Sequence, residues 1–214
     1  MSLPILSGTL PSGGLRNGQL GPCQLTTMYA PGVGHVSIHP AAKRAFEALF
    51  VTALGSTGQT LSVVSAGDAY RSLQAQEDLF RSRYAINGPL GGCKHWDSNG
   101  DGSVEKWCKK RVNGGTPATA AVPGTSNHGL GIALDIGIWN GSKVVGITSN
   151  KLLWAWLSAP NMVDGAWRIG TGSNVESFGL SWELQSEPWH IRLVTGDEPT
   201  RRVLDTEAWI AAAA

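Results

Sequence analysis

The sequence predicts an α+β fold, in which an antiparallel sheet has its helices packed on one side. Three observations carry this expectation. Two stretches, 39–54 and 71–84, space their apolar residues as one face of a helix does. Three short runs, 61–65, 131–139 and 189–194, are β-rich. The order of these pieces is helix, strand, helix, loop, strand, helix, strand. It lacks the strict β-α-β alternation that builds a doubly wound sheet.

Residues 1–34 are rich in Gly, Pro, Ser and Thr, and an irregular arm is expected to run to residue 38. From His39 the run HPAAKRAFEALFVTAL sets Ala42, Ala45, Phe46, Leu49, Phe50 and Ala53 on one helical face. Leu61–Ser65 is a short β-run. A second helix, Arg71–Tyr84, is marked by Leu73, Ala75, Leu79 and Phe80. Residues 88–125 break the pattern with Gly, Asn, Asp, Lys and Pro, and read as a polar insertion or loop region.

The segment GIALDIGIW, Gly131–Trp139, is a β-run whose Ala133, Asp135 and Gly137 share one face. A third helix over 150–160 stops at Pro160. After a Gly-rich turn region, WHIRLV at Trp189–Val194 is a further β-run, and DTEAWIAAAA a short terminal helix. Trp154, Trp156, Trp167 and Trp182 belong to no motif and read as packing residues. No internal repeat is visible. From residue 39 to 214 the chain reads as one domain.

Composition narrows the function classes. The 214 residues are 42% hydrophobic and 15% charged, which suits a globular domain with a real core. The 17 basic and 16 acidic residues leave a net charge of +1, which gives no electrostatic case for nucleic acid as main partner. No stretch approaches the roughly 20 apolar residues of a membrane span. Met1–Leu10 holds no basic residue and no long apolar run, so no secretory signal is read there. Cys23, Cys93 and Cys108 lack C-x-x-C spacing, which excludes a four-cysteine zinc site. Cys93 and Cys108 bracket a short polar segment, and either a bridge or free thiols fits the sequence.

Hydrolysing an amide at neutral pH needs an activated water, a charge stabiliser and a proton carrier. A catalytic zinc supplies the first, held by three protein ligands with one open position. His and Asp near one another are therefore the residues to seek. His128 opens SNHGLGIALDIG, seven residues before Asp135, and His190 lies in EPWHIRL, three residues after Glu187. Gly129 and Gly131 give the turn after His128 its freedom of backbone angle. An antiparallel neighbour carrying His190 would close a His-Asp-His set. Glu187 and His190 are an odd number of residues apart and would face opposite ways in one strand. With Pro188 between them, Glu187 is placed just before the strand and His190 within it.

Three ordered pieces then carry a resemblance. Ser126-x-His128-x-x-Gly131-x-Ala133-x-Asp135, followed by Glu187-Pro188-Trp189-His190, resembles the VanY-type D-Ala-D-Ala carboxypeptidases. That family includes phage L-alanyl-D-glutamate endopeptidases and shares the hedgehog-like zinc fold. Tyr70-Arg71-Ser72, with Gln76 and Leu79-Phe80 after it, is similar to a further stretch of the same family. The pieces span residues 69–190 in family order. The resemblance implies zinc on His128, Asp135 and His190. It implies Glu187 as the base that takes a proton from the activated water and passes it to the leaving amine. Arg71 would hold the oxyanion or the substrate carbonyl, and Tyr70, Gln76, Ser126 and Trp189 would serve the substrate.

Residues 97–105, DSNGDGSVE, place Asp97, Asn99 and Asp101 at alternate positions ahead of Gly102, like the opening of an EF-hand loop. Glu105 stands at the ninth position, while the twelfth, where a bidentate Glu is expected, is Cys108. A shortened calcium loop on Asp97, Asn99, Asp101 and Glu105 is one reading, and an Asx-rich turn without metal is the other.

The expected activity is hydrolysis of an amide bond in bacterial peptidoglycan stem peptides. A phage endolysin or tail-associated lytic endopeptidase stands first, made in the host cytoplasm and released, or carried in a virion. A D,D-carboxypeptidase is the alternative on another bond. A zinc-stabilised wall-binding domain without catalysis is the alternative of another class, against which Glu187 and Arg71 stand.

Overall fold

The computed structural model describes residues 3, 5–158, 162–163, 166–167 and 173–213, with the backbone alone for 162–163 and 166–167. In chain order the elements begin with a hairpin, β1 (Thr26–Ala30) and β2 (Gly34–Ile38). Then come α1 (Pro40–Thr57), β3 (Thr60–Val63), α2 (Leu73–Arg83), β4 (Tyr84–Ile86), β5 (Lys94–Trp96) and β6 (Glu105–Lys109). A 3₁₀ turn at Asn127–Leu130 leads into β7 (Ala133–Trp139) and β8 (Val144–Gly146). The remainder is α3 (Lys151–Ser158), β9 (Met162–Val163), β10 (Ala166–Trp167), α4 (Asn174–Ser177), β11 (Leu180–Trp182), β12 (His190–Leu193) and α5 (Arg201–Ala213).

The main sheet runs β11-β12-β7-β3, with β8 also on β7, and every pairing in it is antiparallel. Its pleat sends Leu134, Ile136 and Ile138 of β7 into the core, in one cluster with the buried face of α1, which packs on β3 and β12. Asp135 points to the other face. That division puts the apolar layer on one side of the sheet and leaves the other for chemistry.

Helix α1 forms where its period places it. The His39 side chain accepts from the Ala41 N–H, Pro40 takes the first turn, and Gly58 ends the helix at φ 68° with its N–H on Leu54 O. Trp182 is fully buried and meets Trp154 edge-on at 5.9 Å, the packing role expected of both. The expected stop at Pro160 and the side chain of Trp167 lie outside the described residues.

Four expectations need correction. The arm to residue 38 holds the β1–β2 hairpin, whose Met28, Ala30, Val36 and Ile38 enter the main core. Their alternation over two five-residue strands was hidden by the Gly- and Pro-rich composition around them. The second helix starts at Leu73, because Ser72 caps it by accepting from the Ala75 N–H. Arg71 therefore lies before the helix, its N–H on His128 O, and Ala75 is exposed while Gln76 is buried. The terminal helix begins at Arg201, one turn earlier than read.

The fourth correction concerns 88–125, which is not merely loop. Strands β5 and β6 join β4 in a three-stranded antiparallel sheet, β4-β6-β5. It carries a small core of its own: Phe80, Tyr84, Trp96, Trp107 and Ala120. Cys93 and Cys108 are bridged across it, and the Arg81 guanidinium lies 4.7 Å over Trp96 and 5.2 Å over Trp107. Strands of three and five residues leave too short a period to read. Packing of aromatic residues far apart in sequence makes them.

Candidate metal centre and cleft

The centre begins with strand register. His190 on β12 and Asp135 on β7 are direct partners, so their side chains leave the sheet on the same face. Asp135 Oδ1 lies 2.7 Å from His190 Nδ1. His128 comes from the 3₁₀ turn just before β7. That turn closes at Gly131, φ 65°, whose N–H bonds to Asn127 O and His128 O. At Gly129 a Cβ would overlap the side-chain amides of Asn17 and Gln76, so any larger residue there must displace them.

Each imidazole has one nitrogen occupied and one aimed inward. His128 Nδ1 is 3.0 Å from Ala69 O, and a carbonyl only accepts, so Nδ1 carries the hydrogen. Its Nε2 then faces Asp135 Oδ1 at 3.4 Å. His190 Nε2 is 2.6 Å from Glu183 Oε2, which leaves Nδ1 toward Asp135. His128, Asp135 and His190 each offer one ligand atom, and these three atoms lie within 4.8 Å of one another. Both His128 and His190 are buried.

The electrostatics demand a positive charge at this point. An Asp oxygen and an unprotonated imidazole nitrogen at 2.7 Å would set lone pair against lone pair, so a proton or a metal ion must lie between. Without metal it is the proton. Burial lowers the His190 pKa, but hydrogen bonds to Asp135 and Glu183 outweigh it and push the ring up to about 9. Glu183 is pulled down to about 2, first by its bond to His190. Asp135 is held well below the usual carboxylate range. Burial opposes this, but the hydrogen bonds to His128 and His190 prevail. Two imidazole nitrogens, each oriented from behind by Ala69 O or Glu183, and one carboxylate oxygen are a donor set that zinc accepts with its fourth position open.

These residues open into a cleft of about 320 Å³. Glu187 lines it from the turn before β12, where its carbonyl accepts from the His190 N–H at 3.0 Å. Glu187 thus stands before the strand and His190 within it, as the spacing required. Arg71 lines the cleft too. Its Nε and Nη2 donate to Gly67 O at 3.1 and 2.8 Å, and Asp68 Oδ1 is 3.5 Å from Nη2. Burial lowers its pKa, and the Asp68 and Asp135 charges work against that. Ser126 and Trp189 are also in the wall, Trp189 being 41% exposed.

Two expected substrate residues are placed elsewhere. The buried Gln76 side chain donates to Asn17 Oδ1 and Arg71 O, each at 3.1 Å, and accepts from the Gly124 N–H. It ties the arm, the Arg71 backbone and the approach to Ser126 together, behind the cleft. The Tyr70 hydroxyl accepts from the Leu20 N–H at 3.1 Å, and Tyr70 does not line the cleft.

The acidic loop is built as an Asx-rich turn. Asp97 accepts from the Gly100 and Gly102 N–H groups, Asp101 from Ser103 N–H and Asn99, and Glu105 from Ser98. Gly100 and Gly102 take φ of 72° and 87°. Asp97, Asp101 and Glu105 are each spent on local donors. Among the described residues, only His128, Asp135 and His190 form a group of three converging metal-type donors of the Asp, Glu, His and Cys kinds.

Glu183 is the site residue the sequence reading missed. Trp182 pairs with Ile191, so one step further Glu183 falls beside His190. Pairing the runs LSWE and HIRL as antiparallel neighbours would have found it, but no motif marks it.

A family model described as "VanY: D-alanyl-D-alanine carboxypeptidase" matches residues 35–196, most of the chain. No curated protein matches. Among solved structures, a mutant of the vancomycin resistance D,D-pentapeptidase VanY from a VanB-type resistance cassette, in complex with Zn(II), is 19% identical. The match covers 90% of this chain and 91% of that one, at a TM-score of 0.43. The LD-carboxypeptidase LdcB is 17% identical over 96% and 94%, at 0.48. VanYB in complex with D-alanine-D-alanine is 18% identical over 94% and 97%, at 0.44.

Proposed function

The chain belongs to the VanY family of D-alanyl-D-alanine carboxypeptidases, and from that premise we propose that it is a zinc-dependent peptidase of peptidoglycan stem peptides, releasing a terminal D-alanine. The single observation that carries the zinc reading is the convergence of His128, Asp135 and His190 ligand atoms within 4.8 Å, at the floor of a cleft that Glu187 and Arg71 also line. The family match gives carboxypeptidase action more weight than the endopeptidase placed first from sequence.

When bound, zinc supplies Lewis acidity to water and to the scissile carbonyl. His128, Asp135 and His190 would hold it. Ala69 O fixes the His128 tautomer and Glu183 orients His190. Glu187 takes the proton of the attacking water and delivers it to the leaving nitrogen, since a carboxylate in the same cleft is a competent base. Arg71 keeps its charge in the partly dry cleft and faces the oxygen on which negative charge develops. Ser126 and Trp189 border the peptide.

The test is incubation of zinc-loaded protein with stem pentapeptides and cross-linked muropeptides, followed by mass analysis. Loss of one alanine supports the carboxypeptidase. New amino termini within the stem mean an endopeptidase instead, and binding without cleavage means a wall-binding domain.

A further inference from the structure

The cleft contains cations that neither the metal centre nor the proposed proton transfer uses. Arg83, at the end of α2, and Lys94, at the start of β5, both line it. Each holds the same loop: Arg83 Nη1 donates to Thr119 O at 2.8 Å and Lys94 Nζ to Ala120 O at 2.7 Å. From outside the cleft, Lys109 Nζ reaches Thr119 Oγ1 at 3.1 Å. Three positive groups thus gather on two loop residues, and none has an ion pair with a carboxylate among the described residues.

Three of the four carboxylates that line the cleft are committed elsewhere. Asp68 pairs with Arg71, and Asp135 and Glu183 are bound to His190. The fourth, Glu187, acts on Lys94 as a charge, without an ion pair between them among the described residues. Burial lowers the Lys94 pKa, Lys109 adds to this, and Glu187 opposes it. Arg83 likewise disfavours the charge on Arg71. Gathering like charges beside a cleft costs free energy unless an anion enters. Donors remain for one: a guanidinium has five N–H groups and an ammonium three, and the loop carbonyls take one of each.

We propose that Arg83 and Lys94 form a carboxylate-binding subsite, built by the inserted sheet, that selects peptides presenting a free carboxylate on that side of the scissile bond. The inference rests on the peptidase reading for its choice of ligand. Two sources share the chemistry: the C-terminal α-carboxylate of the peptide and the free carboxylate of its internal glutamate. Arg83 and Lys94 are specificity residues here, while Arg71 remains beside the reacting carbonyl.

The rival explanation is that both cations only hold the loop at Thr119 and Ala120. Three probes separate these: a stem pentapeptide ending in D-Ala-D-Ala, its C-terminal amide, and the same peptide amidated at glutamate. Binding is measured by calorimetry on the zinc-loaded Glu187→Gln protein, and cleavage on the zinc-loaded wild type. One amide is expected to bind at least about tenfold more weakly than the free acid, the size of one charge-assisted hydrogen bond, and which amide does so names the source. Lys94→Gln and Arg83→Gln should each bring the acid-to-amide ratio toward one, chiefly through KM, and Lys94→Arg should keep it. Acid and amide weakened equally by these variants, no effect of either amide on the wild type, or no binding at all overturns the subsite. Selective binding of the acid without cleavage overturns the peptidase reading and leaves the subsite standing.

Discussion

Glu183 stands beside His190 in antiparallel register, with its Oε2 2.6 Å from the ring Nε2. The contact fixes which imidazole nitrogen is left for Asp135 and the metal. A carboxylate behind a ligand histidine also raises the basicity of the ligating nitrogen. Glu183→Ala should therefore weaken zinc binding by roughly 10–100-fold, read by competition with a chromophoric chelator. Glu183→Gln keeps an acceptor and should lose less. Unchanged affinity in both variants would show that Glu183 does not orient the ligand.

Glu187 should govern turnover and leave metal binding intact. Glu187→Gln preserves shape but removes the base, so the zinc content per chain should stay near wild type while kcat falls by at least ~10²-fold. His128→Ala removes one of only three protein ligands, and should lose both zinc and activity. A Glu187→Gln protein that cleaves at the wild-type rate places the base on another residue.

Arg71→Ala should lower kcat by on the order of 10²-fold if the guanidinium stabilises the oxyanion. Its tie to Gly67 O and Asp68 gives it a structural share as well. A raised KM at unchanged kcat would assign Arg71 to ordinary substrate binding.

The Cys93–Cys108 bridge closes a loop with a sequence separation of 15 residues, for which chain entropy sets a stabilisation of about 3 kcal/mol. The sheet it pins also supplies Lys94 to the cleft. Paired Cys93→Ser and Cys108→Ser substitutions should speed amide hydrogen exchange across 94–109 and leave the zinc content unchanged. Exchange no faster than wild type would mean that the aromatic cluster around Trp96 and Trp107 suffices to hold the insertion.

How far the sequence could be read followed the range of the interactions involved. The α1 face and the β7 run obey local periods, and both formed where the periods put them. The convergence of His128, Asp135 and His190 was legible because a glycine-bounded turn and one strand pairing suffice to build it. Glu183, the roles of Gln76 and Tyr70, and the insertion sheet were not. Gln76 looked like a substrate residue because it sits in a family motif, but its partners Asn17 and Gly124 lie 59 and 48 residues away. The β4-β6-β5 sheet depends on Phe80 stacking with Tyr84 and meeting Trp96 and Trp107, which no window along the chain reveals.

The metal centre also fixes how stability should vary with pH, in opposite senses with and without zinc. In metal-free protein the His190 pKa is raised from 6.5 to about 9, so the folded state holds its proton more tightly than the unfolded chain. That contribution is complete below pH 6.5 and is lost as pH rises through about 9. Glu183, lowered from 4.5 to about 2, contributes above pH 4.5 and loses this as pH falls toward 2. Asp135 is shifted in the same direction. Metal-free protein should thus melt highest on a plateau between pH 4.5 and 6.5, and at falling temperatures from there to pH 9. Zinc replaces the proton on His190, so its binding releases protons and strengthens as pH rises. With zinc in excess, the ligand contribution to melting temperature should grow over the same interval. Paired melting curves in chelator and in zinc, from pH 3 to 10, test both slopes. His190→Gln should abolish the alkaline decline of the metal-free protein. A metal-free wild type whose melting temperature stays level between pH 6.5 and 9 would rule out a shared proton between His190 and its two carboxylates.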